Sequence, residues 1–223
     1  MTTAGEGRRL RTDAERNRSR IIEAAAVAFA RRGLDVPLEE VADEAGVGIG
    51  TLYRRFSGRD ELIGACFERR LAQYAKVAED ALAAPDAWNG FAGYVERICA
   101  MQAADRGLAD VMNRSLPNAK ALEAHRSRGY ALSVRLIQRA QAEGTLRADL
   151  VAEDLALLFM ANAGVVEVTS GSARGAWRRF VGIFLDGMRS AGSSPLSPPA
   201  TPRQTMRAMR RLARTSQSPR RTS

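Results

Sequence analysis

Residues 36–56 read Val36-Pro-Leu-Glu-Glu-Val-Ala-Asp-Glu-Ala-Gly-Val-Gly-Ile-Gly-Thr-Leu-Tyr-Arg-Arg-Phe56. Pro37 fits at or just before the first turn of a short helix, because its ring presets φ and its missing N–H is an orphan there anyway. Val41, Ala42 and Ala45 recur at helical spacing, which predicts a helix over Leu38–Ala45. Gly46 stands just past its end, where a positive φ is cheap only for glycine. After Gly46-Val47-Gly48 a second short helix runs from Ile49 to Phe56. Ala42 is small where the two helices cross, and Val47 and Leu52 are apolar enough to plug the seam between them.

Two short helices at a tight turn form a helix-turn-helix, whose second helix enters the major groove of DNA. The polar residues of 48–55 suit that task. Gly48, Ile49 and Gly50 open the second helix, where the glycines let backbone N–H groups come close to phosphate. Thr51 offers a hydroxyl and a methyl, and Tyr53 a hydroxyl on a rigid ring. Arg54 and Arg55 reach phosphate or guanine. Arg59, at the start of the next helix, has the planar fork that clamps a phosphate. Thr51, Tyr53 and Arg54 are the main candidate contacts, with Arg55 and Arg59 as phosphate anchors.

Outward from this stretch every periodicity is helical, and no run of alternating β-branched residues appears, so the fold class is all-α. Residues 1–12, with Arg8, Arg9 and Arg11, read as a flexible basic arm. A first helix fits Asp13 to Arg32 and is stopped by Gly33; Ile21, Ala25 and Phe29 share its inner face. Together with 38–56 it makes a three-helix head over 13–60. Ser57 is the expected cap of a long helix ending near Ala84-Pro85. Its stripe of Ile63, Phe67, Leu71, Tyr74 and Ala78 is long enough, at about 1.5 Å per residue, to join two lobes. A regulatory and dimerisation lobe over 61–192 follows, with helices expected near Trp88–Ala104, Leu108–Ser115, Asn118–Glu143, Ala152–Thr169 and Ala173–Ala191. The fourth of these is apolar nearly all round and must be covered on several sides. Residues 193–223 alternate Pro with Ser and Thr and then turn Arg-rich, the composition of a disordered basic tail. Within it, Thr205–Arg214 has the spacing of a short basic helix with Met206 and Met209 on one side.

Composition sets the exclusions. The 223 residues hold 34 basic and 25 acidic side chains, a net charge of +9. Seven Arg and no acid fall in 193–223, so residues 1–192 carry a surplus of only two, and DNA binding has to be argued from local geometry instead of overall charge. No apolar run approaches the ~20 residues of a membrane span, and residues 1–12 lack the apolar block of a secretory leader. Two cysteines, Cys66 and Cys99, make neither a disulfide framework nor a four-ligand zinc site, and they read as packing residues in a reducing, cytoplasmic setting. The single histidine, His125, has no Ser, Asp or Cys partner at a telling spacing and reads as a surface helix residue. No paired carboxylates or metal-ligand pattern stand out, so neither catalysis, a cofactor nor a metal is expected.

The order Ala45-Gly46, Gly50-Thr51-Leu52-Tyr53, Phe56 and Arg59-Asp60-Glu61-Leu62 resembles the signature of the TetR family of bacterial transcriptional regulators, over about Ser19 to Leu62. The stretch departs from the family's usual pattern at Pro37, Gly48, Arg55 and Arg59, where Thr, Ser or Thr, His and Lys are frequent. The resemblance implies a homodimeric, ligand-responsive repressor of a palindromic double-stranded DNA operator. In such a protein the last two long helices dimerise and the C-terminal lobe encloses a pocket for a small-molecule effector. Trp88, Phe91, Tyr94, Met101, Met112, Tyr130, Phe159 and Asn162 are the candidate pocket residues. Asn162, a carboxamide inside an apolar helix, demands a hydrogen-bonding partner from ligand, neighbouring helix or second subunit. The competing reading is a protein-interaction module that kept the fold without binding an operator.

Overall fold

The computed structural model describes residues 3–113, 119–192 and 194–215, and its regular structure there is helical throughout. Three helices build the head: α1 (Thr3–Arg32), α2 (Leu38–Glu44) and α3 (Ile49–Arg55). Helix α4 (Arg59–Leu82) leads from the head into a lobe made of α5 (Ala87–Ala104), α6 (Arg106–Asn113), α7 (Lys120–Ala142), α8 (Ala152–Thr169) and α9 (Ala176–Met188). A last helix, α10 (Pro202–Thr215), follows an extended segment. The expected ends at Ser115 and Asn118 lie outside the described residues.

Glycine closes the head's first two helices. Gly33 takes φ 83° and donates its N–H to Phe29 O at 2.9 Å. Gly46 takes φ 63°; its N–H reaches Asp43 O at 2.9 Å, and Val47 N reaches Ala42 O at 3.0 Å. That pair of bonds is a Schellman closure, which satisfies the last carbonyls of α2 and turns the chain toward α3. The head's interior is Ile21, Ala25, Phe29, Val41, Leu52 and Phe56, joined by Leu62, Ile63 and Phe67 from α4, all buried. Phe29 and Phe67 stack with ring centroids 6.3 Å apart.

Helix α4 belongs to both halves. Leu62 to Phe67 complete the head, while Leu71, Tyr74, Ala75 and Ala78 pack into the lobe, chiefly against α7 and α5. Its 24 residues span about 36 Å. Helix α6 ties the halves a second time. A Cβ on Gly107 would lie 2.6 Å from Phe29 O, so only glycine lets α6 approach α1 this closely. Beside it, the Leu34 N–H donates to Asp110 Oδ2 at 3.2 Å.

Four elements differ from expectation. The backbone is helical from Thr3, where an arm was expected over 1–12; no proline precedes Pro37, and acids and bases stand three apart at Asp13/Arg16 and Glu15/Arg18, which favours helix. Ser57 does not cap α4: its N–H and Oγ both donate to Glu61 Oε2 at 2.7 Å, and Gly58 occupies the cap position. A carboxylate is the stronger acceptor, so Ser57 is drawn to it. Those bonds hold the Glu61 carboxyl below its ordinary pKa. Helix α9 begins at Ala176, after a turn through Gly171 and Gly175, and stops at Met188. Within 193–223, which the composition assigned to disorder, Pro202–Thr215 is helix. Thr201 and Gln204 cap it reciprocally: the Thr201 N–H and hydroxyl donate to Gln204 Oε1 at 2.8 and 2.9 Å, and Gln204 N donates to Thr201 Oγ1 at 3.3 Å. With Pro202 at the first helical position, Thr201-Pro-Arg-Gln204 carries both common signals for a helix start.

Candidate nucleic-acid interface

Helix α3 is held from below by one residue. Leu52 is fully buried against α1 and α2, and Phe56, also buried, closes the helix with the Arg18 guanidinium 5.3 Å above its ring. With Leu52 and Phe56 fixed inward, the polar side chains turn out. Tyr53 is 52% exposed, and Arg54 and Arg55 are exposed. Thr51 is half-buried and accepts from Arg54 Nη2 at 3.0 Å, which steers that guanidinium along the outer face. Gly48 and Gly50 are exposed at the entry of the helix with nothing within 4 Å of a built Cβ, and Ile49 is half-buried between them. Gly48 adopts the N-cap conformation without a side chain to cap, so the first N–H groups of α3 stay open to solvent or an anion.

Three arginines serve the frame. Arg59 was expected as a phosphate clamp. Its Nη1 donates to Leu34 O at 2.7 Å and to Val36 O at 2.6 Å, stitching the α1–α2 loop to α4. Arg20 Nη2 donates to Gly46 O at 3.3 Å and braces the turn. Across the outer edge, Arg32 pairs with Glu40 at 2.6 Å and with Glu44 at 2.5 Å, tying α1 to α2.

The lobe encloses a cavity of about 400 Å³. Of the expected lining residues, Tyr94, Met112, Tyr130 and Phe159 face it. Trp88, Phe91, Met101 and Asn162 do not. Trp88 packs on Phe91 and lies 4.0 Å beneath the Arg189 guanidinium, and Met101 packs against the core. Asn162 finds its partner in a neighbouring helix: its Nδ2 donates to Gln102 Oε1 at 2.9 Å and to Cys99 O at 3.4 Å, fully buried. The sequence reading missed Glu153, which is buried on the cavity wall and accepts from the Tyr130 hydroxyl at 2.9 Å. It placed His125 on the surface, whereas His125 is half-buried and lines the cavity. It also missed Thr205, Met206 and Met209, which α10 contributes to the wall. Burial pushes the Cys66 and Cys99 thiols up to about 12, so neither is a thiolate near neutrality. Among the described residues no helix is long and apolar enough to cross a membrane, and no cluster of three His, Cys, Asp or Glu suits a metal ion.

Comparison with known proteins accounts for both halves. Residues 21–66 match the profile described as bacterial regulatory proteins of the tetR family, and residues 86–190 match the C-terminal domain described as transcriptional regulator SbtR-like. The HTH-type transcriptional repressor SCO4008 of Streptomyces coelicolor is 26% identical over 160 residues, 68% of this chain and 78% of that protein. A TetR transcription regulatory protein from Mycobacterium vanbaalenii is 32% identical, covers 81% of this chain and 99% of its own, and superposes with a TM-score of 0.48. RolR, solved in complex with the ligand resorcinol, is 20% identical over 85% of this chain and 99% of its own, with a TM-score of 0.54. By both matched segments the chain belongs to the TetR family: it is a DNA-binding transcription regulator and not an enzyme, with a helix-turn-helix head and an SbtR-like C-terminal domain.

Proposed function

We propose that two copies of this chain bind a near-palindromic operator as a ligand-responsive repressor in the bacterial cytoplasm, each laying α3 in a major groove, the two grooves about 34 Å apart. The observation that carries this reading is the outward face of Thr51, Tyr53, Arg54 and Arg55 on a helix whose inner residue, Leu52, is fully buried. Dimerisation through α8 and α9 is supported by the apolar side chains those helices leave in water: Leu157, Val168 (83% exposed), Ile183 (61%) and Phe184. Such a face on neighbouring helices is what a two-fold interface covers.

The effector reading rests on the cavity and on α6. Met112, near one end of that helix, faces the cavity; Gly107, near the other, abuts Phe29 of the head. A ligand that displaces Met112 pushes on a helix already in van der Waals contact with α1. The heads then tilt and lose their groove spacing. Only a ligand that binds the two arrangements unequally shifts the balance. RolR's complex with resorcinol supports a small-molecule ligand for a protein of this fold.

The test is the double variant Tyr53→Ala/Arg54→Ala. Operator fragments are first selected from the host genome with the wild-type protein. In mobility-shift assays the variant's affinity for them falls on the order of 100-fold, as expected for losing two groove contacts of ~1–3 kcal/mol each. Its thermal unfolding is unchanged, because both side chains are exposed. A double variant that still shifts the operator normally refutes the assignment.

A further inference from the structure

We propose that α10 is the lid of the effector cavity and part of its binding surface, closing over a compact apolar molecule whose polar end donates hydrogen bonds. The proposal rests on reading the cavity as the effector site, and adds a further wall and the ligand class.

The lid is built into the chain. Arg147 bridges Asp149 through two bonds, at 2.6 and 3.0 Å, and its Nη2 also holds Ser194 O at 2.5 Å; the Leu196 N–H donates to Asp149 Oδ2 at 3.0 Å. This clamp fixes where the tail leaves the lobe. An extended run with Pro198 and Pro199 then carries the chain to α10, which packs on α8. Pro202, Thr205, Met206 and Met209, at helical spacing, line the cavity, while Arg203 and Arg207 face solvent. Methionines are adaptable apolar contacts, well suited to a wall that must open. The SbtR-like match ends at residue 190, so the family's lobe does not account for this wall.

The wall also selects chemistry. Glu123 is bridged by Arg126 at 3.2 Å, so those charges offset each other. The Glu153 carboxylate receives only the Tyr130 hydroxyl among the described residues. Among the described lining residues the ionised side chains are Glu123, Arg126 and Glu153, which leave no surplus positive charge to hold a carboxylate or phosphate. A donor group meets Glu153, and the aromatic faces of Tyr94, Tyr130 and Phe159 favour a cation over an anion. From the lid itself, Thr205 is 7% exposed and its hydroxyl has no hydrogen-bond partner, an unsatisfied buried group that a ligand's polar atom would satisfy. The volume suits a ligand of drug-like size or smaller.

Hydrogen exchange and a matched ligand pair test this together. In the full, ligand-free chain, amides of 205–209 exchange at least tenfold slower than an unstructured peptide, and Met206→Asp/Met209→Asp abolishes that protection; unprotected wild-type amides overturn the seated lid. The probes are 1-naphthylmethylamine and 1-naphthoate, which share a ring system and carry opposite charges. By calorimetry the amine binds the full chain at least tenfold more tightly than the naphthoate. By stopped-flow fluorescence the amine leaves the double variant, and a chain ending at Gly192, at least fivefold faster than the full chain. Equal dissociation rates overturn the lid, preference for the naphthoate overturns the ligand class, and absence of binding by either probe overturns both. Thermal melts of both variants show whether the lobe remains folded. An operator complex that ignores a bound amine, with the lid results intact, refutes the effector reading alone.

Discussion

In the head, Ile21, Phe29, Leu52, Phe56 and Phe67 are fully buried, while in the lobe Tyr94, Leu155 and Phe159 stand around a void of about 400 Å³. The head turns polar side chains outward on α3; the lobe leaves Leu157, Val168, Ile183 and Phe184 in water. A reader of DNA needs a fixed geometry, because groove contacts tolerate little displacement. A sensor needs alternative packings of similar free energy, which a void and an unfinished apolar face provide. The two halves of one chain thus place opposite demands on the same kind of helix.

The contrast breaks most visibly at the apolar face. Ile183→Glu with Phe184→Glu places two charges per subunit where the proposed interface lies. Sedimentation velocity is expected to report a folded monomer, and operator affinity to fall by on the order of 100-fold through lost bivalency. A variant that stays dimeric moves the interface elsewhere.

Core truncation comes next. Leu52→Ala in the tightly filled head is expected to cost about 3–5 kcal/mol. Leu155→Ala, beside an existing void, falls near the lower end of the ~2–5 kcal/mol range. Denaturant unfolding compares them, and equal costs would mean that the lobe is as tightly packed as the head.

Smaller still is the division between Arg55 and Arg59. Arg55→Ala should lower the slope of log K against log salt by about one, the signature of a lost phosphate contact, and leave the melting temperature alone. Arg59→Ala should leave the slope alone and destabilise by ~1.5–3 kcal/mol, because Leu34 O and Val36 O lose a charged donor. The reverse pattern would return Arg59 to the interface.

The gentlest perturbation is acid. Hydrogen bonds from Arg147, and then from Leu196 N, lower the Asp149 pKa from 3.8 to about 2. A depressed carboxylate contributes its stability above the unfolded value and loses it as pH falls through the folded one. The tail clamp therefore holds above about pH 4 and loosens between there and pH 2. The Leu196 amide resonance should report the loss, and an amide shift that is flat across that window argues against the clamp.

Much of the head was legible because its signals are local. Gly33 and Gly46 mark helix ends by a backbone conformation that needs glycine, and the inward positions follow from spacing alone. Arginine's fork fits a carbonyl pair as well as a phosphate, and the carbonyls that Arg59 meets, Leu34 and Val36, stand more than twenty residues away in sequence, so spacing could not reveal them. In the lobe, helix positions were readable but cavity membership was not. Trp88 and Tyr94 share α5, yet only Tyr94 faces the void, since that depends on how α5, α7 and α8 meet. The tail is a different case: Thr201-Pro-Arg-Gln204 carries a helix start in plain view, but proline-rich composition outweighed it.

Gly107 and Met112 sit on a single eight-residue helix. Sensing and reporting are thereby joined by a rod about 12 Å long. New chemical inputs can evolve by redecorating the void's walls while the junction beneath Phe29 stays untouched. Conversely, a methyl group added at Gly107 would press on the Phe29 backbone and the Phe67 ring, so the junction itself has to shift and input and output change together.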